Sequence, residues 1–425
     1  MTQAITKVGS KSWYRRFIIR LSCFVSRVLF LASVPVVAAD WPQWRGVNGS
    51  GVSAEAGLPV RWSADENMRW TAELPGRGLS SPVVAAGRVY LTACSGVSQD
   101  RLHVLSFDAA TGERIWERQF WATGNTACHP KTCMAAPTPA TDGQHVFALF
   151  ATCDLVCLDA TGTLVWYRSL SGDYPTITNQ VGMAASPVLS DDLLICALEN
   201  EVHSSALGID THTGQNRWKI ARNKNINWAT PLLLRRGRAT ELLLQSPRDL
   251  TAYDLETGKS RWTYPASGLS TIPSPVEGDG SVFVPAGDVI ALRPGSGLQP
   301  PQLLWKSNKL HTATASPIYY QGRIYSVNSA GVLACADPSD GSVLWQQRMT
   351  GPFSASPVAG DGKLYFVNEE GLTSVINTQD QPEDHLVATN PLGEPMLASP
   401  AISDGALYLR SDRHLFCIRP PQDRK

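Results

Sequence analysis

Five stretches decide the fold: DAATGERIW (Asp108 to Trp116), DATGTLVW (Asp159 to Trp166), DTHTGQNRW (Asp210 to Trp218), DLETGKSRW (Asp254 to Trp262) and DPSDGSVLW (Asp337 to Trp345). Each reads as a hairpin. An Asp side chain bonds its own backbone and a Gly supplies positive φ, so the strand ahead of Asp folds back onto the strand carrying Trp. Outward from these hairpins a second signature recurs, a small residue before Pro and a short apolar run. It stands at Ser81-Pro82, Thr138-Pro139, Ser186-Pro187, Thr230-Pro231, Ser274-Pro275, Ser316-Pro317, Ser356-Pro357 and Ser399-Pro400. The spacings between these prolines, 57, 48, 44, 44, 42, 40 and 43, give one four-stranded sheet per unit. Arg293 to Trp305 is a degenerate copy that keeps Trp, and the unit around Asn377 keeps neither Asp-Gly turn nor Trp.

Apolar positions alternate with period two, as at Val282 and Val284 or Tyr325 and Val327, which excludes a helical repeat. One such sheet cannot bury both faces, so the units stack radially into a closed ring. The expectation is an all-β, eight-bladed β-propeller of four-stranded antiparallel blades. Trp70, Trp116, Trp166, Trp218, Trp262, Trp305 and Trp345 would dock neighbouring blades, each N–H reaching a turn carbonyl. Trp70 has the same offset from its following Pro as Trp305 and Trp345, yet no strands precede it, and the C-terminal unit stops one strand short. Residues near Met68 to Glu73 therefore complete the last blade. The reading divides the chain into a signal peptide (1–39), a lead-in segment (40–67), the propeller (68–419) and a tail (420–425).

The chain has 425 residues, 43% apolar and 17% charged, with 37 Lys+Arg against 37 Asp+Glu. Six of the basic residues, Lys7 to Arg27, precede Asp40 with no acid among them, followed by the apolar run Val28 to Val37 and Ala38-Ala39. That is the pattern of a secretory signal cleaved before Asp40, and the run is too short to span a bilayer. Without residues 1–39 the balance is 31 basic against 37 acidic, a net of −6, so a basic footprint for nucleic acid is missing. The mature chain is expected outside the cytoplasm, periplasmic or secreted, with no transmembrane segment and acting as a monomer.

Eight of the nine cysteines remain after cleavage. Cys157, Cys335 and Cys417 occupy equivalent repeat positions and read as small buried side chains. Cys128 and Cys133, with four residues between them in an insertion, are candidates for a small disulfide loop. No Cys-x-x-Cys-His motif or adjacent cysteine pair is present.

Loops entering each innermost strand, with those between the middle strands, converge on one end of a propeller's channel. The longest insertions run from Trp121 to Pro137 and from Leu170 to Ser186. They place His129, Lys131, Asn179 and Gln180 first among contact candidates, joined by Arg77, Asn227, Trp228, Arg248, His311, Glu199 and Glu369. No metal site is expected, because no acidic loop has the spacing of a dedicated Ca²⁺ site.

The Asp…Thr-Gly…Trp hairpins resemble the PQQ-type repeat family of eight-bladed propellers over Trp70 to Arg419. The phrases DWPQWRGVNGSGV, LPGRGLSSPVV and ITNQVGMAASPV resemble extracytoplasmic PQQ-binding-like propellers of planctomycete-type bacteria, and the architecture is similar to the BamB-type assembly factor. The resemblance implies two functions: a non-catalytic scaffold without cofactor that binds a protein or cell-envelope component, or alternatively a quinoprotein dehydrogenase with PQQ and Ca²⁺ in the channel. The mature length leaves little for loops that close a cofactor chamber, and no catalytic Asp maps onto this sequence.

Overall fold

Blade 1 shows how each unit is made. In the computed structural model, which describes residues 40–177, 181–237, 239–379 and 385–420, its strands are Val83–Ala85, Arg88–Ser95, Arg101–Asp108 and Arg114–Trp121. The third and fourth are joined by the Asp108 turn, where Asp108 Oδ1 accepts the N–H groups of Ala110 and Thr111 at 2.9 Å. Eight such four-stranded antiparallel sheets follow one another along the chain, an eight-bladed β-propeller. The last comprises Ala401–Ser403, Ala406–Arg410 and His414–Ile418, and its fourth strand is Met68–Glu73, with Trp70 opposite Cys417. The two ends of the propeller thus share one blade.

The tryptophans bind each blade to the next. The indole N–H of Trp70 donates to Ala109 O at 3.0 Å, Trp116 to Ala160 O at 2.9 Å, and Trp166 to Thr211 O at 2.8 Å. Trp218 does the same to Leu255 O and Trp305 to Pro338 O, both at 2.8 Å. Each acceptor belongs to the Asp-Gly turn of the following blade, and the indole lies flat on that turn's glycine. At Gly214, φ is +70° and a Cβ would stand 2.8 Å from Trp166, so the position needs glycine for conformation and for close approach. Trp262 and Trp345 depart from the expected pattern: their N–H groups meet no acceptor among the described residues. The turns they face are the two degenerate ones. Trp345 instead stacks on His385 with centroids 3.7 Å apart.

Blade 7 has Ala388 at the docking position, opposite Val375. The lead-in segment fills the gap. Trp62 packs over Tyr365, and its backbone N–H donates to Asn390 Oδ1 at 3.0 Å. Tyr365 Oη donates to Pro59 O at 3.0 Å, which holds the same stretch against the blade.

Ring closure between blades 8 and 1 uses Arg410, which is fully buried. Its Nη1 donates to Thr92 O at 2.8 Å and to Ser80 Oγ at 3.1 Å, while Nε donates to Ser411 O. Burial pushes this guanidinium down to about 10. The expected signal peptide at 1–39 lies outside the described residues. Among the described residues no helix is long and apolar enough to cross a membrane.

Candidate functional site

The residue before each repeated proline is always Ser or Thr, and the structure gives the reason. Ser81 N–H donates to Thr138 Oγ1, Thr138 N–H to Ser186 Oγ, and Ser186 N–H to Thr230 Oγ1, at 2.9 to 3.1 Å. The same bond runs on from Thr230 to Ser274, Ser316, Ser356 and Ser399. Each hydroxyl accepts from the preceding blade and satisfies a buried N–H that would otherwise be costly. All eight residues line one central cavity of about 360 Å³.

Trp44 lines this cavity too. The lead-in segment reaches it by crossing the channel: Trp41 pairs with Val84 of blade 1, Pro42 O accepts from Thr141 of blade 2, and Gln43 Oε1 accepts from Leu189 of blade 3. Arg45, fully buried, donates from Nη2 to Pro317 O of blade 6 at 2.9 Å, and Val52 pairs with Ala359 of blade 7. Its contacts lie along the innermost strands, beyond their Ser/Thr-Pro starts, so the segment plugs the channel beneath the hydroxyl ring and Trp44 floors the cavity.

At the mouth stand His129, Lys131 and Trp228, three of the residues expected from the sequence. Lys131 Nζ bonds Glu369 Oε2 at 2.8 Å, an ion pair from the blade 2 insertion to a blade 7 loop, and Ser354 Oγ donates to Glu369 Oε1 at 2.7 Å. Glu369 lies below the ordinary carboxylate range: burial raises it, but the Lys131 and Ser354 bonds prevail. Trp228 Nε1 donates to Gly182 O at 2.7 Å, tying the second insertion to blade 4. Arg77 Nη2 donates to Pro130 O at 2.7 Å, with Asp412 at 3.5 Å from its Nε.

Other candidates lie elsewhere. Glu199 and Asn227 are buried in a network with Arg222: Arg222 Nε to Glu199 Oε1 and Asn227 Nδ2 to Glu199 Oε2 are both 2.7 Å. Burial pushes Glu199 up despite these partners. Arg248 is exposed in a loop of blade 4 away from the cavity, and His311 pairs with Asp288 at 2.7 Å. Asn179 and Gln180 lie outside the described residues. Cys128 and Cys133 both stand as free thiols, like the other described cysteines. Cys133 is turned into the core, whereas Cys128 faces Thr132 O at 3.7 Å and Gln99 Nε2 at 3.9 Å. Among the described residues no three His, Cys, Asp or Glu side chains come together as a metal site.

Sequence reasoning missed Trp44, the ring hydroxyls as cavity lining, and an apolar component of the same face. Val97, Trp121, Val202 and Ile272 are exposed large apolar residues. All four sit on loops or strand ends at the hydroxyl-ring end of their blades, and Arg101 lies over Trp121 at 4.8 Å from the ring centroid.

The family model described as outer membrane protein assembly factor BamB matches residues 51–264, 205–300 and 286–410, most of the chain. The chain belongs to the BamB family. Among solved structures it is similar to BamB from Moraxella catarrhalis, with 15% identity over 84% of this chain and 98% of that one, TM-score 0.62. It is also similar to quinohemoprotein alcohol dehydrogenase from Comamonas testosteroni, with 14% identity, 91% and 82% covered, TM-score 0.65. A europium-containing methanol dehydrogenase gives 11% identity, 88% and 90% covered, TM-score 0.65. No curated protein matches the chain. At these identities the structural likenesses carry the fold alone, and one fold serves both scaffold and enzyme.

Proposed function

We propose that this BamB-family propeller is a non-catalytic, extracytoplasmic binding module that docks a protein of the cell envelope on its hydroxyl-ring face. The observation that carries the reading is the exposure of Val97, Trp121, Val202 and Ile272 on the face that also holds both insertions. Aromatic and apolar anchors with a polar rim are the pattern of a protein contact surface. His129 and the Lys131–Glu369 pair supply that rim. The family match to an outer membrane assembly factor agrees with it.

The alternative, a PQQ enzyme, has one observation in its favour, the aromatic floor at Trp44. The donor set fits poorly. An anionic quinone needs facing cations, but Lys131 is neutralised by Glu369. Oxygen ligands for Ca²⁺ are committed as well: Asp154 accepts from Thr123, Thr152 and Tyr167, and Glu199 from Arg222 and Asn227.

Photo-crosslinking in cells with a reactive side chain at position 97, 121 or 272 tests the proposal, with position 298, exposed on the turn end of blade 5, as control. A discrete adduct from the first three positions and none from 298 is expected, lost in a Trp121→Asp variant that retains its melting temperature. Equal labelling from both ends, or none from the ring face, would remove the proposal.

A further inference from the structure

The seam between blades 8 and 1 holds a further pocket, of about 200 Å³, beside the central cavity, with which it shares Leu79, Lys131 and Leu397. Its charged lining is three cations, Arg77, Lys131 and Arg410, against two carboxylates, Glu369 and Asp412. Lys131 takes up Glu369. The remaining three are poorly matched. Arg410 is 1% exposed and forms no ion pair among the described residues; Nη1 and Nε are spent on Ser80, Thr92 and Ser411, and Nη2 meets no acceptor. Arg77, partly exposed, gives Nη2 to Pro130 O, while its Nε meets no acceptor at hydrogen-bond distance. The nearest carboxylate, Asp412 Oδ2, stands 3.5 Å from that Nε and is 53% exposed. Between the two arginines lies Gly78, where a Cβ would stand 2.6 Å from both Nη atoms of Arg410. Only a bare backbone leaves that guanidinium its place.

We infer that this seam pocket is a carboxylate-binding site, filled by an acidic side chain of the docked envelope protein. The source of the carboxylate rests on the function proposed above; the chemistry of the pocket does not. A guanidinium shut away from water without a counter-ion is strongly disfavoured, and an entering anion relieves that cost. Three cations against two carboxylates leave one positive charge, which one carboxylate neutralises. Guanidinium forks match the paired oxygens of a carboxylate. The apolar walls at Leu79, Pro395 and Leu397 suit an acid on a carbon stem and not a fully hydrated inorganic ion. Arg77 is also bridged to Cys94, three residues before the exposed Val97, which puts the pocket on the proposed contact face.

The probe is sodium butyrate, a carboxylate on a short carbon stem, titrated by ligand-observed NMR into residues 40–425 at pH 7 and fixed ionic strength, with inorganic phosphate as competitor. Saturable binding that phosphate does not displace is expected. Arg77→Gln should weaken it about tenfold, as loss of a charge-assisted hydrogen bond does. Asp412→Asn, which removes the competing carboxylate, should tighten it about threefold, the worth of one exposed ion pair. Purely structural roles for the two residues would not move the affinity in opposite directions. No saturable binding, displacement by phosphate at equal concentration, or an Asp412→Asn affinity no higher than that of the wild type overturns the inference. The last readout decides even if Arg77→Gln fails to fold.

Crosslinking from position 121 separates the two sources of the carboxylate. A several-fold loss of adduct in Arg77→Gln at unchanged melting temperature assigns it to the partner. An unchanged adduct, with butyrate binding intact, assigns it to a free carboxylate and overturns the partner as source. Absence of any adduct in the wild type strikes the protein partner alone, and the titration still decides the pocket.

Discussion

Trp62 lies over Tyr365 with ring centroids 6.5 Å apart, in the position that blade 7 leaves open at Ala388. In other blades an outer-strand Trp covers the equivalent ring: Trp116 on Tyr90, Trp166 on Phe147, Trp305 on Phe283, Trp345 on Tyr325 and Trp70 on Tyr408, at 5.9 to 6.1 Å. Blade 7 has no turn ahead to dock on, because the next blade is closed by a separate strand. The lead-in segment supplies the missing indole while passing from the channel to the rim.

Trp62→Ala therefore removes a blade interface contact, not a loose end. A loss of about 3 kcal/mol is expected in denaturant unfolding, in the range of buried Trp truncation. A loss below about 0.5 kcal/mol, typical of exposed positions, would deny Trp62 this role.

Glycine substitutions separate backbone strain from docking. Gly214→Ala meets both a φ of +70° and Trp166 at 2.8 Å, whereas Gly297→Ala meets a φ of +61° and nothing within 4 Å. Strain alone costs about 1 kcal/mol. Gly214→Ala should exceed Gly297→Ala by at least about 1 kcal/mol in unfolding free energy, with Trp166 fluorescence altered only in the former; equal losses would mean that the indole contact contributes nothing.

Glu199→Gln removes the closer counter-charge of Arg222 and leaves only Asp249, 3.9 Å from its Nη1, although the Arg222 and Glu199 side chains are both 2% exposed. Breaking one side of such a pair costs about 3 to 5 kcal/mol. Partner crosslinking from position 121 should survive at temperatures where the variant is folded, since the network lies beneath the proposed surface.

Acid should loosen the hairpin turns. Asp210 is held at about 2 by Arg217 and by Thr213, and Asp159, Asp254 and Asp337 are also lowered. Thr161 and Ser339 are the largest influences at Asp159 and Asp337, while at Asp254 burial opposes and Thr257 prevails. A carboxylate whose folded pKa is depressed stabilises above its unfolded value, about 4, and that contribution is lost as pH falls towards the folded value. Melting temperature should thus drop between about pH 4 and pH 2, and Asp210→Asn should flatten part of that drop. An unchanged profile in the variant would contradict the assignment.

Blade number, strand order and the shared last blade were legible because Asp, Gly, Trp and Ser/Thr-Pro recur at fixed offsets, each with its own backbone requirement. The lead-in segment was not. Trp41, Trp44, Arg45 and Trp62 occur once each, outside the repeat, and their partners lie up to 328 residues away, as for Trp62 and Asn390. The candidate site was legible in part for a similar reason. Loop position identified His129 and Lys131, but nothing local distinguishes them from Glu199 and Asn227, whose burial depends on Arg222.

The ring face, as proposed, binds a partner and runs no quinone chemistry. Equilibrium dialysis of residues 40–425 against PQQ with Ca²⁺, followed by artificial dye reduction with alcohols, tests this. No saturable retention and no dye reduction are expected. Retention of one PQQ per chain, abolished by Trp44→Ala and accompanied by dye reduction, would contradict it.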